Sequence, residues 1–233
     1  MSTAPIQLTY PVLDKGCLEL EAHLASDLDV VNAARVSYAK KSETFGEREA
    51  GILGFLMRER HGSPFEHGYL RFRDKAPIFV FREWHRHRVG HSYNEWSARY
   101  SKMEAEFYIP HPDNVVSQEG KPGAYKFTPA ERAVGLSFPL ALQLASEQAF
   151  EQYEKAMLNG VSRQQARMFL PVNTYSQMIW SCNPRSLMHF LSLRNSEQAQ
   201  WEIRQYAQAA ELIFSDIMPA TAEAFIENGR RAP

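Results

Sequence analysis

From Ile78 to Trp84 the chain reads IFVFREW, and the next four residues are His85, Arg86, His87 and Arg88. A helix that is apolar around most of its circumference has to be buried, and cations at its end then need anionic partners. Pro77 suits a first helical position, so the pattern predicts a helix from Ile78 to about Arg88. At about 100° per residue on such a helix, Arg86 and Arg88 point roughly 200° apart. They would serve different anions, or one on either side of a subunit boundary. A solvated basic face is the plainer reading of the same cations.

The surrounding pattern mixes element types. Asp27–Ala34 reads as a short helix with an acidic start, and Glu47–Arg60 has amphipathic helical spacing. Tyr69–Arg73 alternates like a half-buried strand. Pro110–Pro129 is rich in Pro, Gly and Asn and reads as a loop. Beyond it, Leu136–Leu158 is a long helix, kinked or entered near Pro139, and Ser162–Phe169 is a shorter helical piece stopping before Pro171. Thr174–Cys182 reads as a strand. Asn183-Pro184 is a helix start, with Asn as the cap and Pro in the first turn. Glu197–Ile217 is a further helix. Helices bracketing a few non-adjacent strands predict an α+β fold, with helices around a small, mostly antiparallel sheet and no Rossmann-like half. One domain over 1–233, with a loop-rich divide near 110–129, is the expected organisation.

Composition narrows the function classes. Twenty-six Lys and Arg against 27 Asp and Glu leave a net charge of −1. That argues against a general positive field for nucleic acid. The 12 glycines form neither G-x-G-x-x-G nor a Walker loop, so any nucleotide phosphates would be held by side chains, foremost arginines. The two cysteines, Cys17 and Cys182, form no C-x-x-C, and a reducing cytoplasm is the expected compartment. The opening MSTAPIQLTYP has no basic flank leading into an apolar run, and the sequence holds no stretch fit to span a bilayer.

Ser92–Tyr100 follows the cation cluster. If it runs extended, Glu95, Ser97 and Arg99 share one face, an acceptor, a hydroxyl and a guanidinium fork suited to a nucleoside monophosphate. His85, His87 and His91 are also near, and His87 and His91 have i,i+4 spacing. The interleaved arginines oppose a divalent cation there, so no metal is expected. Two readings compete with a nucleotide enzyme: a single-stranded nucleic-acid module stacking bases on Trp84 or Trp96, and a metal-dependent hydrolase built on the three histidines.

Arg86-His87-Arg88, SYNEWSARYSK at Ser92–Lys102 and KAPIFVFREW at Lys75–Trp84 together resemble the flavin-dependent thymidylate synthase family. Its signature is R-H-R, seven residues, then Ser; here eight residues precede Ser97, and the extra one is placed at Val89–His91. Further blocks fit in order: AARVSY (Ala33–Tyr38), HGSPFEH (His61–His67), EFYIP (Glu106–Pro110), ARMFLP (Ala166–Pro171), SCNPRSLMHFLSLR (Ser181–Arg194) and QWEIRQYA (Gln200–Ala207). The resemblance implies methylation of dUMP to dTMP. The carbon comes from 5,10-methylenetetrahydrofolate, and the hydride from FAD that NADPH re-reduces. It also implies a homotetramer whose subunits share the FAD and dUMP sites.

By the same resemblance, Ser63, Arg86, His87, Arg88, Glu95, Asn183, Arg185 and His189 contact FAD, and His61 lies near the flavin. Glu83, Arg86, Glu95, Ser97, Arg99, Arg167 and Arg194 surround dUMP. Arg194 is the catalytic group, its guanidinium against the uracil edge. Many members carry Gln at the position of Glu83, and often Asn at that of His189. Arg185 and His189 are i,i+4 and share a helix face, whereas Arg194 lies about half a turn around from Arg185.

Overall fold

The computed structural model describes residues 8–233; the first seven, part of the opening read for a leader, lie outside the described residues. The described chain divides into two compact units. The first runs to Ala76 and resumes with Val80–Glu95 and Gln177–Pro233. The second is Pro77–Phe79 with Trp96–Ser176.

The first unit is built on a five-stranded sheet. β1 (Leu8–Val12), β2 (Gly16–Leu24), β3 (Tyr69–Pro77), β4 (His91–Glu95) and β7 (Tyr175–Cys182) run in the order β1-β2-β3-β7-β4. The β1–β2, β2–β3 and β4–β7 pairs are antiparallel. This is the predicted α+β class. β3 alternates as its sequence requires: Leu70, Phe72, Asp74 and Ala76 are buried and Tyr69, Arg71 and Arg73 are exposed. Phe72 stacks on Trp180 of β7 at 4.8 Å between ring centroids, and Trp84 meets Trp180, Phe190 and Tyr206 at 5.1, 5.1 and 5.6 Å. These rings form the apolar layer beneath the site, and contacts of this kind add to area burial at about 0.5–1.5 kcal/mol each.

Helices α1 (Asp27–Arg35), α2 (Glu47–Arg58), α3 (Ile78–Trp84), α6 (Pro184–Arg194), α7 (Trp201–Ile217) and α8 (Pro219–Glu227) accompany this sheet. Asp27 ties two of them together. Its carboxylate accepts from the backbone N–H groups of Ala220 and Thr221 at 3.0 and 2.8 Å and from the Thr221 hydroxyl. A side chain of α1 thus satisfies donors that the first turn of α8 leaves open.

The second unit holds α4 (Arg132–Leu158), the one-turn α5 (Arg163–Ala166) and the hairpin β5 (Val116–Glu119)–β6 (Lys126–Pro129). The segment expected to be loop therefore carries paired strands. α4 begins at Arg132, before the predicted start, and runs through Pro139 without ending. Its core is Ala98, Met103, Phe107, Phe150, Tyr153 and Ala166. Asn173 is fully bonded inside it, donating to the Tyr108 carbonyl and to Ser146 Oγ, both at 3.0 Å.

Two further expectations are corrected. α3 ends at Trp84, not Arg88, and Pro77 closes β3 instead of opening the helix. The helix stops because its last carbonyls are taken locally. Arg86 N–H donates to Glu83 O and His87 N–H to Trp84 O, and the Tyr93 hydroxyl donates to Trp84 O and His87 O at 3.2 and 2.7 Å. Arg86 and Arg88 are therefore on an irregular turn, and the 200° helical argument does not apply to them. The second correction concerns Ser92–Tyr100. The strand ends at Glu95, and the backbone turns at once, with Tyr100 and Ser101 N–H both donating to Ser97 O. Glu95, Ser97 and Arg99 do not share the face of one strand.

Candidate active site

α6 organises the candidate residues of the first unit. Asn183 caps it, its side-chain oxygen accepting from Ser186 N–H at 2.8 Å, and Pro184 occupies the first turn. The sequence expectation at this point holds for the same physical reason: Pro has no N–H to lose there. Arg185 and His189 both lie on this helix, and Arg194 closes it, where a cation complements the helix dipole. Arg185 donates to the Pro233 carbonyl at 2.8 Å and pairs with Glu66. Glu66 belongs to the 3-10 turn Ser63–Glu66, so this pair brings Ser63's turn to the start of α6. The approach is close: a Cβ at Gly62 would fall 2.4 Å from Arg185 Cζ.

The turn carrying the extra residue packs at the same helix end. Gly90 has φ +73°, a left-handed conformation. A Cβ there would come within 2.1 Å of Ser186 Oγ. The Ser186 hydroxyl donates to Val89 O at 3.0 Å. Glycine is thus required twice over, by backbone and by space.

Arg194 engages a different set of groups from Arg185, as their positions on the helix predict. Nε donates to His87 Nε2 at 3.0 Å, Nη1 to Glu83 Oε2 at 2.7 Å and Nη2 to the Glu83 carbonyl at 3.1 Å. Burial pushes the Glu83 carboxyl up from its ordinary value, Arg194 pulls it back, and Glu202 raises it further. His87 is buried and pushed down to about 4, by desolvation first and then by Arg194, His91 and His189. His91 is likewise pushed down to about 4, by desolvation and His189. Both rings are neutral near pH 7, and each uses its one lone pair. His87 accepts from Arg194, and His91 Nδ1 accepts from Trp180 Nε1 at 2.9 Å. A metal-dependent hydrolase needs those lone pairs for its ion.

Arg86 and Arg88 are exposed, and neither has an ion-pair partner among the described residues. Beside Ser63, the first unit contains an open cavity of about 790 Å³, lined in part by Ser37, Lys40, Arg48, His61 and Ser63. Arg35 on its wall is already committed to Ser42 and Glu49. Lys40 and Arg48 have no ion-pair partner among the described residues. Nothing in the bare sequence joined Lys40 and Arg48 to the candidate set; only the AARVSY block marked that neighbourhood.

The second unit assembles the remaining residues. Ala98 and Ala166 pack in its core, while their chain neighbours Arg99 and Arg167 are exposed. Arg163 donates to Tyr100 O at 3.2 Å, joining the two segments, and Ser97 Oγ accepts from Arg99 N–H at 3.3 Å. Arg167 Nε donates to the Gln164 carbonyl at 3.3 Å. Ser97, Arg99 and Arg167 are thus a second group, and Glu95 ends β4 in the first unit. Trp84 is fully buried and Trp96 packs on the second unit's core, so the base-stacking platform of a nucleic-acid module is not present at Trp84.

A small antiparallel sheet with helices around it, and exposed arginines where no glycine-rich loop exists, define an α+β protein. The chain belongs to the thymidylate synthase complementing protein family, which matches it over residues 19–220. The flavin-dependent thymidylate synthase of Streptomyces avermitilis is 43% identical over 228 residues, 93% of each chain. That of Tropheryma whipplei is 44% identical over 235 residues, covering 95% of this chain and 96% of the relative. Among solved structures, a UMP/dUMP methylase, PolB, from Streptomyces cacaoi bound with 5-Br dUMP matches with a TM-score of 0.88 at 40% identity. It covers 96% of this chain and 100% of that one. Family membership disfavours the nucleic-acid module.

Proposed function

We propose that this protein is a flavin-dependent thymidylate synthase, converting dUMP to dTMP with 5,10-methylenetetrahydrofolate as carbon donor. The observation that carries this reading is Arg194, held by three acceptors at the edge of the Arg86-His87-Arg88 turn. The names of the relatives support a flavin, and FAD fits the residues present. Its phosphates call for unpaired cations, and Arg86, Arg88, Lys40 and Arg48 are exposed without ion-pair partners among the described residues. Ser63, Arg86, His87, Arg88, Glu95, Asn183, Arg185 and His189 would hold it, with His61 nearby in the cavity wall. Reduced by NADPH, FAD supplies the hydride that completes the methyl group.

Arg86, Glu95, Ser97, Arg99, Arg167 and Arg194 bind dUMP in this reading, with Glu83 beside them. Arginines pair with the phosphate in bidentate fashion, and carboxylate and hydroxyl groups take the sugar. Arg194 lies against the uracil edge and stabilises negative charge as N3 loses its proton. That charge spreads over N3, O2 and O4 and leaves the ring electron-rich, so N1 can push through the C6–C5 double bond and C5 attacks the methylene with no protein nucleophile required. Fixed positive charge in a partly dry site acts without reorganisation. The protein acts as a cytoplasmic homotetramer with shared sites. Exposed Val134, Leu136, Phe138, Leu140 and Leu144 on α4 support subunit packing.

The test is NADPH oxidation with FAD, in the presence and absence of dUMP and methylenetetrahydrofolate, with dTMP detected directly. Arg194→Ala should reduce dTMP formation by roughly 100- to 1,000-fold, the scale of losing one preorganised donor. Full turnover in that variant would remove Arg194 from the mechanism.

A further inference from the structure

The guanidinium of Arg194 has five N–H donors in a rigid plane. Three of them are spoken for inside the protein: by His87 Nε2, by the Glu83 carboxylate and by the Glu83 backbone carbonyl. Both side chains of the Arg194–Glu83 pair are mostly shielded, at 19% and 26% exposure. A planar ion held at Nε, Nη1 and Nη2 can neither rotate about its own axis nor swing on its stem. The acceptors are themselves fixed. Glu83 stands in the last turn of α3, and His87 is buried, its ring 5.0 Å from that of Phe190 on α6.

We infer that Glu83 and His87 are positioning residues for Arg194, holding its plane so that its two remaining N–H groups face the nucleotide, and that the effect of Glu83 on turnover runs through Arg194. The inference rests on the proposed function and refines it. Glu83 gives Oε2 and its backbone carbonyl to one guanidinium, so its side chain fixes Nη1 while its backbone fixes Nη2. Glutamine keeps an acceptor oxygen at the same reach, and can therefore hold Nη1 as the carboxylate does. Alanine leaves Nη1 without that acceptor, and the fork is then held only at Nε and Nη2.

The experiment is a double-mutant cycle on the FAD-loaded enzyme, comparing Glu83→Ala, Arg194→Ala and the double variant. Two quantities are read: kcat for dTMP formation and dUMP affinity by calorimetry. Glu83→Ala should reduce kcat by roughly 10- to 100-fold, the scale of misplacing a catalytic group by about 1 Å. The double variant should be no worse than Arg194→Ala alone in either quantity, because Glu83 has nothing left to position. Glu83→Gln should recover most of the lost turnover, and it stands in if Glu83→Ala melts early. Losses that multiply in the double variant, or a Glu83→Gln as impaired as Glu83→Ala, would overturn the positioning role and make Glu83 a direct nucleotide contact. A wild-type protein that makes dTMP while the losses multiply refutes this inference alone. One that neither binds dUMP nor makes dTMP refutes the proposed function and this inference together.

Discussion

Asp74 shows how far one residue can depart from its neighbours' logic. It occupies a core position on β3 between Phe72 and Ala76, wholly buried, and neither of its side-chain oxygens has a hydrogen-bond partner among the described residues. Burial, and then Glu21, push its carboxyl well above the ordinary carboxylate range. In the unfolded chain the same group ionises near pH 4. The folded state therefore binds a proton that the unfolded state releases, and stability falls as pH rises above about 4 towards the folded value. Asp74→Asn removes that proton linkage while keeping the shape. Its melting temperature should exceed that of the parent by a margin that widens from pH 5 to pH 8; a margin independent of pH would show that Asp74 does not titrate in this way. The alternation of β3 was legible in the sequence as far as Arg73; the structure carries the strand on to Pro77, and the same alternation then puts Asp74 on the buried face with Phe72 and Ala76.

At the scale of elements, the cap of α6 and the turn before β4 form one structure. Asn183→Ala removes an N-cap and should cost about 1 kcal/mol of unfolding free energy, measurable in urea. Gly90→Ala should cost more, because it strains a left-handed residue and drives a methyl group against Ser186. FAD affinity should drop with it, since the Arg88 and Asn183 segments meet at that turn; unchanged affinity would separate the turn from the flavin site. Asp27→Ala is the corresponding test of the α1–α8 tie. It strips three donors of their acceptor, and a loss of roughly 2–4 kcal/mol is expected, at about 1–3 kcal/mol for each buried donor left unsatisfied, offset by relaxation. The α6 start was legible because Asn-Pro has a purely local cause. The α8 cap was not, because its carboxylate comes from a residue 194 positions away from Thr221.

For the molecule as a whole, the expected ligand should report on the fold. FAD that binds only the folded protein raises its stability by mass action, by about 2.7 kcal/mol at a concentration 100 times the dissociation constant. The melting temperature should therefore climb with FAD concentration and the purified protein should absorb in the blue. Arg88→Glu should shift that dependence to higher FAD concentration, since the cation is exposed and its reversal removes an anion partner rather than a core contact. An unshifted melting curve in FAD would count against the flavin assignment for this chain.

The sequence by itself determined the α+β class, the main helices after Asp27, the cap at Asn183-Pro184 and the concentration of arginines around Arg86. Each of these has a local or periodic cause that can be read within one turn or one strand. Its family blocks also marked Ser63, Arg185 and Arg194 before any geometry was known. Only the tertiary structure decided what those residues do to one another. It ended α3 at Trp84, because the Tyr93 hydroxyl takes the helix's last carbonyl. It ended β4 at Glu95, with Ser97 and Arg99 grouped with Arg167 in the second unit. It also joined Arg194 to Glu83 across 111 residues. The cation cluster at the end of a buried helix called for an anionic partner, and the cation that meets the helix's own Glu83 comes from the far end of α6. No spacing rule within a single segment can pair residues that far apart; the packing of α6 against α3 does so.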